Sequence, residues 1–164
     1  MASGNTLLSF TPHANMPPAS AYATFDTRNS HLVLDFDPSA DESAIFGDVL
    51  PRHYGGGGLT VTLAWAASTA TTGNVVWAVS IERLQDDIDD TDADSFATAQ
   101  TVTAPCASAS GELSYDAVAF TNGAQMDSLA VGEAFRIKVQ RTGSSGSDTM
   151  SGDAELFRVE IKET

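Results

Sequence analysis

The amino-acid sequence predicts an all-β protein, an eight-stranded antiparallel β-sandwich led by an extended N-terminal arm, and three observations carry that expectation. Apolar residues recur with a period of two over most of the chain, as strands with one wet and one buried face require. Clusters of Gly, Ser, Asp and Asn, such as Thr142-Gly143-Ser144-Ser145-Gly146-Ser147-Asp148, separate these stretches and supply turns. The helical period is nearly absent, with room for one turn at most around Gln125-Met126-Asp127-Ser128-Leu129.

Residues 1–19 stand apart. Pro12, Pro17 and Pro18 withhold ladder donors, while Asn5, Thr11 and Asn15 interrupt any alternation. They read as an arm, frayed or laid across a neighbouring subunit, since Leu7, Leu8, Phe10 and Met16 would otherwise face water. Residues 20–164 then form one sandwich domain. It starts with two weaker strands, Tyr22 to Asp26 and His31 to Asp37. Residues 38–58 read as a long connection holding Pro51-Arg52-His53-Tyr54 and four glycines. Leu59, Val61, Leu63 and Trp65 alternate with smaller or polar residues, as do Val75, Trp77, Val79 and Ile81 beyond the turn Thr71–Asn74, so the two stretches read as a hairpin. Ala97 to Ala104 and Glu112 to Phe120 follow. The latter changes phase between Leu113 and Tyr115 on one parity and Val118 and Phe120 on the other, which predicts a bulge near Ala117. Phe135, Ile137 and Val139, then Phe157, Val159 and Ile161, mark the last two strands.

At 164 residues the chain has the length of one domain, and 42% apolar against 18% charged residues suffices for a core. Eight basic residues against 22 acidic ones give a net charge of −14, which opposes binding to nucleic acid and to acidic membrane surfaces. The single Cys106 excludes an internal disulfide or a cysteine-rich zinc site. The N-terminus lacks the basic lead and apolar run of a secretory leader, and no stretch approaches a membrane span. These features predict a soluble protein made in a cytoplasm, reaching any outside location by a route such as release with a particle.

No motif commits the chain to a reaction, and no cofactor is expected. Gly55–Gly58 runs into a strand rather than a Lys-Ser/Thr helix start, so it reads as a tight corner and not a phosphate loop. The run Asp86-Asp87-Ile88-Asp89-Asp90-Thr91-Asp92-Ala93-Asp94 has the acidity for calcium, but Ser95 and Thr101 stand where an EF-hand needs glycine and glutamate. A solvated acidic loop explains it better. His13, His31 and His53 have no metal-ligand spacing, and no serine lies in a nucleophile elbow. Carboxylate pairs such as Glu112 and Asp116 are available by number alone. Trp65 and Trp77 fall on the buried parity and read as core. Tyr54, beside Arg52 and His53, is the best candidate for an exposed aromatic contact.

Four stretches resemble tailed-bacteriophage virion proteins of jelly-roll type: Tyr54-Gly55-Gly56-Gly57-Gly58-Leu59-Thr60-Val61, Ala124-Gln125-Met126-Asp127-Ser128-Leu129, Glu133-Ala134-Phe135-Arg136-Ile137-Lys138-Val139 and Ser147-Asp148-Thr149-Met150-Ser151-Gly152-Asp153-Ala154-Glu155-Leu156. The resemblance implies a two-sheet jelly roll, commonly a homotrimer, serving as a capsid decoration (cement) protein or a fibre head domain. The expected function is non-enzymatic: binding the outer surface of a phage capsid and holding major capsid protein subunits together, through Leu7, Leu8, Phe10, Met16, Arg52, His53 and Tyr54. Acidity suits an outer face better than one turned towards packaged DNA. The alternative is a tail-fibre or spike tip gripping a host carbohydrate through exposed aromatics, with or without calcium. A small carbohydrate-active enzyme is the third reading.

Overall fold

The computed structural model describes residues 4–164. It contains ten strands: β1 (Thr6–Phe10), β2 (Thr24–Arg28), β3 (His31–Phe36), β4 (Asp41–Val49), β5 (Leu59–Ala67), β6 (Asn74–Leu84), β7 (Gln100–Pro105), β8 (Ser114–Phe120), β9 (Ala134–Thr142) and β10 (Ala154–Glu163). The only helical pieces among the described residues are 3-10 turns at Pro12–Ala14 and Ala124–Met126, the second within the stretch that the sequence allows one turn. One sheet runs β2-β3-β10-β5-β8, with β1 also on β10, and the other runs β4-β9-β6-β7. All ladder pairings are antiparallel. The protein is an all-β, two-sheet sandwich, as the sequence predicts.

Two strands are additional to the eight expected. Strand β1 corrects the arm: Leu8, Ser9 and Phe10 lie opposite Ile161, Glu160 and Val159 of β10, and Leu7 and Phe10 are buried in the core. The prolines that argued against a strand lie just outside it, Pro12 opening the 3-10 turn. Met16 N donates to Ile45 O at 2.7 Å and Asn15 Oδ1 accepts from Ile45 N at 3.0 Å. Residues 6–16 are therefore stitched to the chain's own sandwich. Strand β4 occupies part of the expected connection; Ser43, Ala44, Ile45 and Phe46 are buried in a row, without the alternation that reveals a one-faced strand. The rings of Phe10 and Phe46 stack at 5.5 Å, so the two unpredicted strands clamp each other across the layers.

Strands β5 and β6 are not a hairpin, because they belong to opposite sheets. Their tryptophans meet edge-on across the core at 5.8 Å, and Phe36 meets Trp77 edge-on at 5.1 Å. Alternation gives each strand a buried face, yet it is silent on whether the next strand lies beside it or opposite. The bulge expected near Ala117 is also absent, since β8 pairs with β5 in unbroken register from Phe120 to Ser114. The irregularity sits in β10 instead, between Leu156 and Arg158, where the strand passes from its pairing with β3 to its pairing with β1. That bulge turns Phe157 out of the core.

A buried cation closes one end of the sandwich. Arg141 is fully inaccessible, and all five of its N–H donors find acceptors: two on Asp148, and the carbonyls of Phe36, Met150 and Gly152. Asp148 also accepts from Val76 N at 2.9 Å. The turn at 148–152 is thereby tied to strands of both sheets.

Candidate functional site

The seven residues expected at an interface are not brought together. Leu7 and Phe10 are core, and Leu8 packs against it half-buried, which corrects their assignment to a contact with another chain. Met16 is 46% exposed and lies over Gly47 of β4. Arg52 and His53 are exposed. Tyr54 is buried, contrary to its reading as an exposed aromatic; its hydroxyl donates to Gly57 O, and burial with the Glu163 carboxylate nearby pushes its pKa up. The glycines make a tight corner, as the missing Cβ atoms suggested. A Cβ on Gly58 would come within 2.4 Å of Phe120 O, and Gly55 N donates to Glu163 Oε1 at 2.8 Å.

The acidic run is anchored by a few contacts and otherwise exposed. Arg136 Nε donates to the buried Glu82 carboxylate at 2.6 Å and Arg136 Nη2 to Asp94 at 2.8 Å, with Phe96 packed beneath the guanidinium. Ser95 N completes the link to Glu82 at 2.6 Å. Asp116 accepts from Trp65 Nε1 at 2.8 Å, a structural duty that separates it from the exposed Glu112.

An aromatic-walled concavity lies elsewhere, on the outer face of the first sheet. It has a volume of about 400 Å³, with Ala64 as its floor and Tyr115, Phe157, His31, His13 and Arg158 around it. A second depression of about 290 Å³ continues it past Leu113 and Phe157 to Arg28 and Asn29. Register explains the shape. Ala64 of β5 lies opposite Tyr115 of β8 on one side and Arg158 of β10 on the other. A methyl group between larger side chains leaves a trough across the strands. Tyr115 stands 69% exposed on one wall. On the other, Phe157, turned out by the bulge, lies with its ring centroid 6.1 Å from that of His31. The tight β2–β3 turn, with Asn29 and Ser30 both at positive φ, and the Pro12–Ala14 turn form the rim.

A carboxylate cluster borders this groove on the same face. Asp35 lies opposite Glu155 of β10, and burial, followed by the charges of Glu155, Asp26 and Asp153, raises its pKa from 3.8 to about 7. Arg28 Nη1 donates to Glu155 Oε2 at 2.8 Å and to Ser68 O at 3.1 Å, so the cluster is partly neutralised on the groove side.

Sequence reasoning missed this site although a signal was present. Leu113 and Tyr115 share the parity opposite Val118 and Phe120, which in an unbroken strand puts the tyrosine outside; the inferred bulge explained that signal away. Phe157 carried no such signal, because it keeps the parity of Val159 and Ile161 and only the bulge expels it.

No protein-family model matches the sequence, and no curated protein matches it. Solved structures match its fold. The C-terminal CBM6 of LamC, a marine laminarinase of Zobellia galactanivorans, superposes over 97% of this chain and 100% of its own, with 6% identity and a TM-score of 0.59. The CBM22-1 xylan-binding domain of Xyn10C from Paenibacillus barcinonensis covers 99% of this chain and 97% of its own, with 10% identity and a TM-score of 0.56. The CBM22-2 xylan-binding domain of the same protein covers 96% and 99%, with 14% identity and a TM-score of 0.54. The protein thus has the jelly-roll β-sandwich fold of these carbohydrate-binding modules (CBMs). At such identities the likeness is one of fold. These neighbours are glycan-binding domains and not virion proteins. Of the seven residues expected to contact a major capsid protein, this chain buries Leu7, Phe10 and Tyr54 in its own core.

Proposed function

We propose that the protein is a non-catalytic carbohydrate-binding module that holds a glycan in the groove on the outer face of the first sheet. The observation that carries this reading is the exposed ring of Tyr115, facing Phe157 across the Ala64 floor. Two strand spacings separate them, about 10 Å, a span suited to a short stretch of sugar rings. The apolar C–H faces of a pyranose stack on aromatic rings, and its hydroxyls pair with groups such as those of Thr11, Ser30, His31 and Arg158 at the rim. The fold neighbours support the reading, two of them being xylan-binding domains. The same activity serves the fibre or spike tip that the sequence raised as an alternative.

Affinity gel electrophoresis against a panel of soluble polysaccharides tests the proposal. At least one polysaccharide should retard the wild-type protein, and Tyr115→Ala should abolish the retardation while leaving the far-UV spectrum unchanged, since the ring supports no core packing. Retardation that survives Tyr115→Ala, or none across the panel, contradicts it.

A further inference from the structure

We infer that the groove selects glycans bearing anionic substituents, carboxylates or sulfates, over neutral ones. This rests on the glycan-binding reading above and adds the chemistry of the ligand. Acidic residues outnumber basic ones 22 to 8 in the chain, yet no Asp or Glu lines either part of the groove. The guanidinium and imidazole side chains there are those of Arg158, Arg28, His31 and His13. A patch of this size drawn from the composition would hold about two acidic residues, whereas the nearest carboxylates, Asp35 and Glu155, lie beside the groove and not in it.

Arg158 is the cation available to a ligand. Ion pairs among the described residues engage Arg28, Arg83, Arg136, Arg141 and Lys162, but not Arg158. The acidic neighbour on its strand, Glu160, feels the charge of Arg158 but spends its direct contacts on Thr6 Oγ1 at 2.5 Å and Lys162 Nζ at 3.2 Å. Among the described residues Arg158 Nη1 donates to Ser9 Oγ alone, at 3.2 Å, which steadies the exposed guanidinium and leaves its other donors without a partner there. The planar fork suits a carboxylate or sulfate oxygen pair, beside the aromatic walls that take a ring face. Arg28, already neutralised by Glu155, adds hydrogen-bonding capacity at the far end.

The overall charge of −14 does not forbid such a ligand. Charges beyond about 8 Å are largely screened at physiological salt, so a sparsely charged glycan feels mainly the groove. A nucleic acid, with a charge every ~1.7 Å of duplex, meets the repulsion of the whole surface.

Isothermal titration of the full chain provides the test, with a uronate oligosaccharide, a sulfated one and a neutral xylo- or laminari-oligosaccharide of equal length. The wild-type protein should bind at least one anionic oligomer about tenfold more tightly than the neutral one, as one charge-assisted contact allows. The two anionic arms decide between carboxylate and sulfate. Arg158→Gln should bring the anionic-to-neutral ratio towards one and remove the salt dependence of anionic binding. Neutral oligomers bound as well as or better than anionic ones, a ratio untouched by Arg158→Gln, or equal binding of a single-stranded oligonucleotide overturns the inference while leaving glycan binding intact. Absence of binding to every oligosaccharide overturns the proposed function and the inference together.

Discussion

Asp35 is the residue at which the sandwich and the groove share an electrostatic cost. Its carboxyl, half-buried among Glu155, Asp26 and Asp153, has a pKa raised to about 7. In the unfolded chain the group titrates near its ordinary 3.8, so between these values the folded state holds the extra proton. Stability from this group is complete below about pH 4 and is lost as pH rises through 7. Asn is neutral at every pH, so Asp35→Asn should be more stable than the wild type at pH 8, with the difference shrinking towards pH 4. Urea midpoints of both proteins from pH 4 to 8 give the measurement, and parallel curves contradict it. Asp37 and Glu160, held below the usual carboxylate range chiefly by hydrogen bonds from Ser39 and Thr6, act in the opposite sense and cancel in that comparison. Some single-residue environments were legible in the sequence and others were not. Trp65 and Trp77 are core, as their parity requires, and Arg141 continues the parity of Phe135, Ile137 and Val139 into the interior. Tyr54 gave no sign of burial, because its cover comes from the glycine corner and Glu163, distant in sequence.

Strands were more legible than their partners. All eight stretches with period-two alternation or β-rich composition are strands, whereas β1 and β4 escaped, one masked by neighbouring prolines and the other by a continuous apolar run. Pairing was beyond local patterns: β5 and β6, joined by a short turn, part to opposite sheets so that their tryptophans can meet across the core. The reassignment of β1 reverses an expectation. Under the arm reading, changes at Leu8 and Phe10 would spare the isolated sandwich. With Phe10 buried against Phe46, Phe10→Ala should instead lower the unfolding free energy by about 3 kcal/mol, as large-to-small core changes do. Chemical denaturation monitored by tryptophan fluorescence reads the change, and an unaltered midpoint contradicts it. The β10 bulge is the element that joins fold to site, since it shares the strand between β3 and β1 and expels Phe157 into the groove.

At the scale of the whole molecule, a strongly acidic sandwich carries a small basic and aromatic trough on one face. The fold class was readable because alternation and turn chemistry are local properties. The site was not, because Ala64, Tyr115, Phe157 and His31 come from four strands whose register only the folded chain reveals. A rival concavity of about 400 Å³, lined by Tyr54, Gly55, Gly56, Asn122 and Ser128–Val131, gives the glycan reading a clear competitor on the same protein. Titration of the isotope-labelled protein with an oligosaccharide that retards it, followed by amide chemical shifts, tells the two apart most directly. The largest shifts should cluster at Ala64, Tyr115, Phe157 and Arg158, with the Pro12–Ala14 and Asn29–Ser30 turns around them. Shifts centred on Gly55, Gly56 and Ser128–Val131, with the outer face of the first sheet silent, would contradict the account.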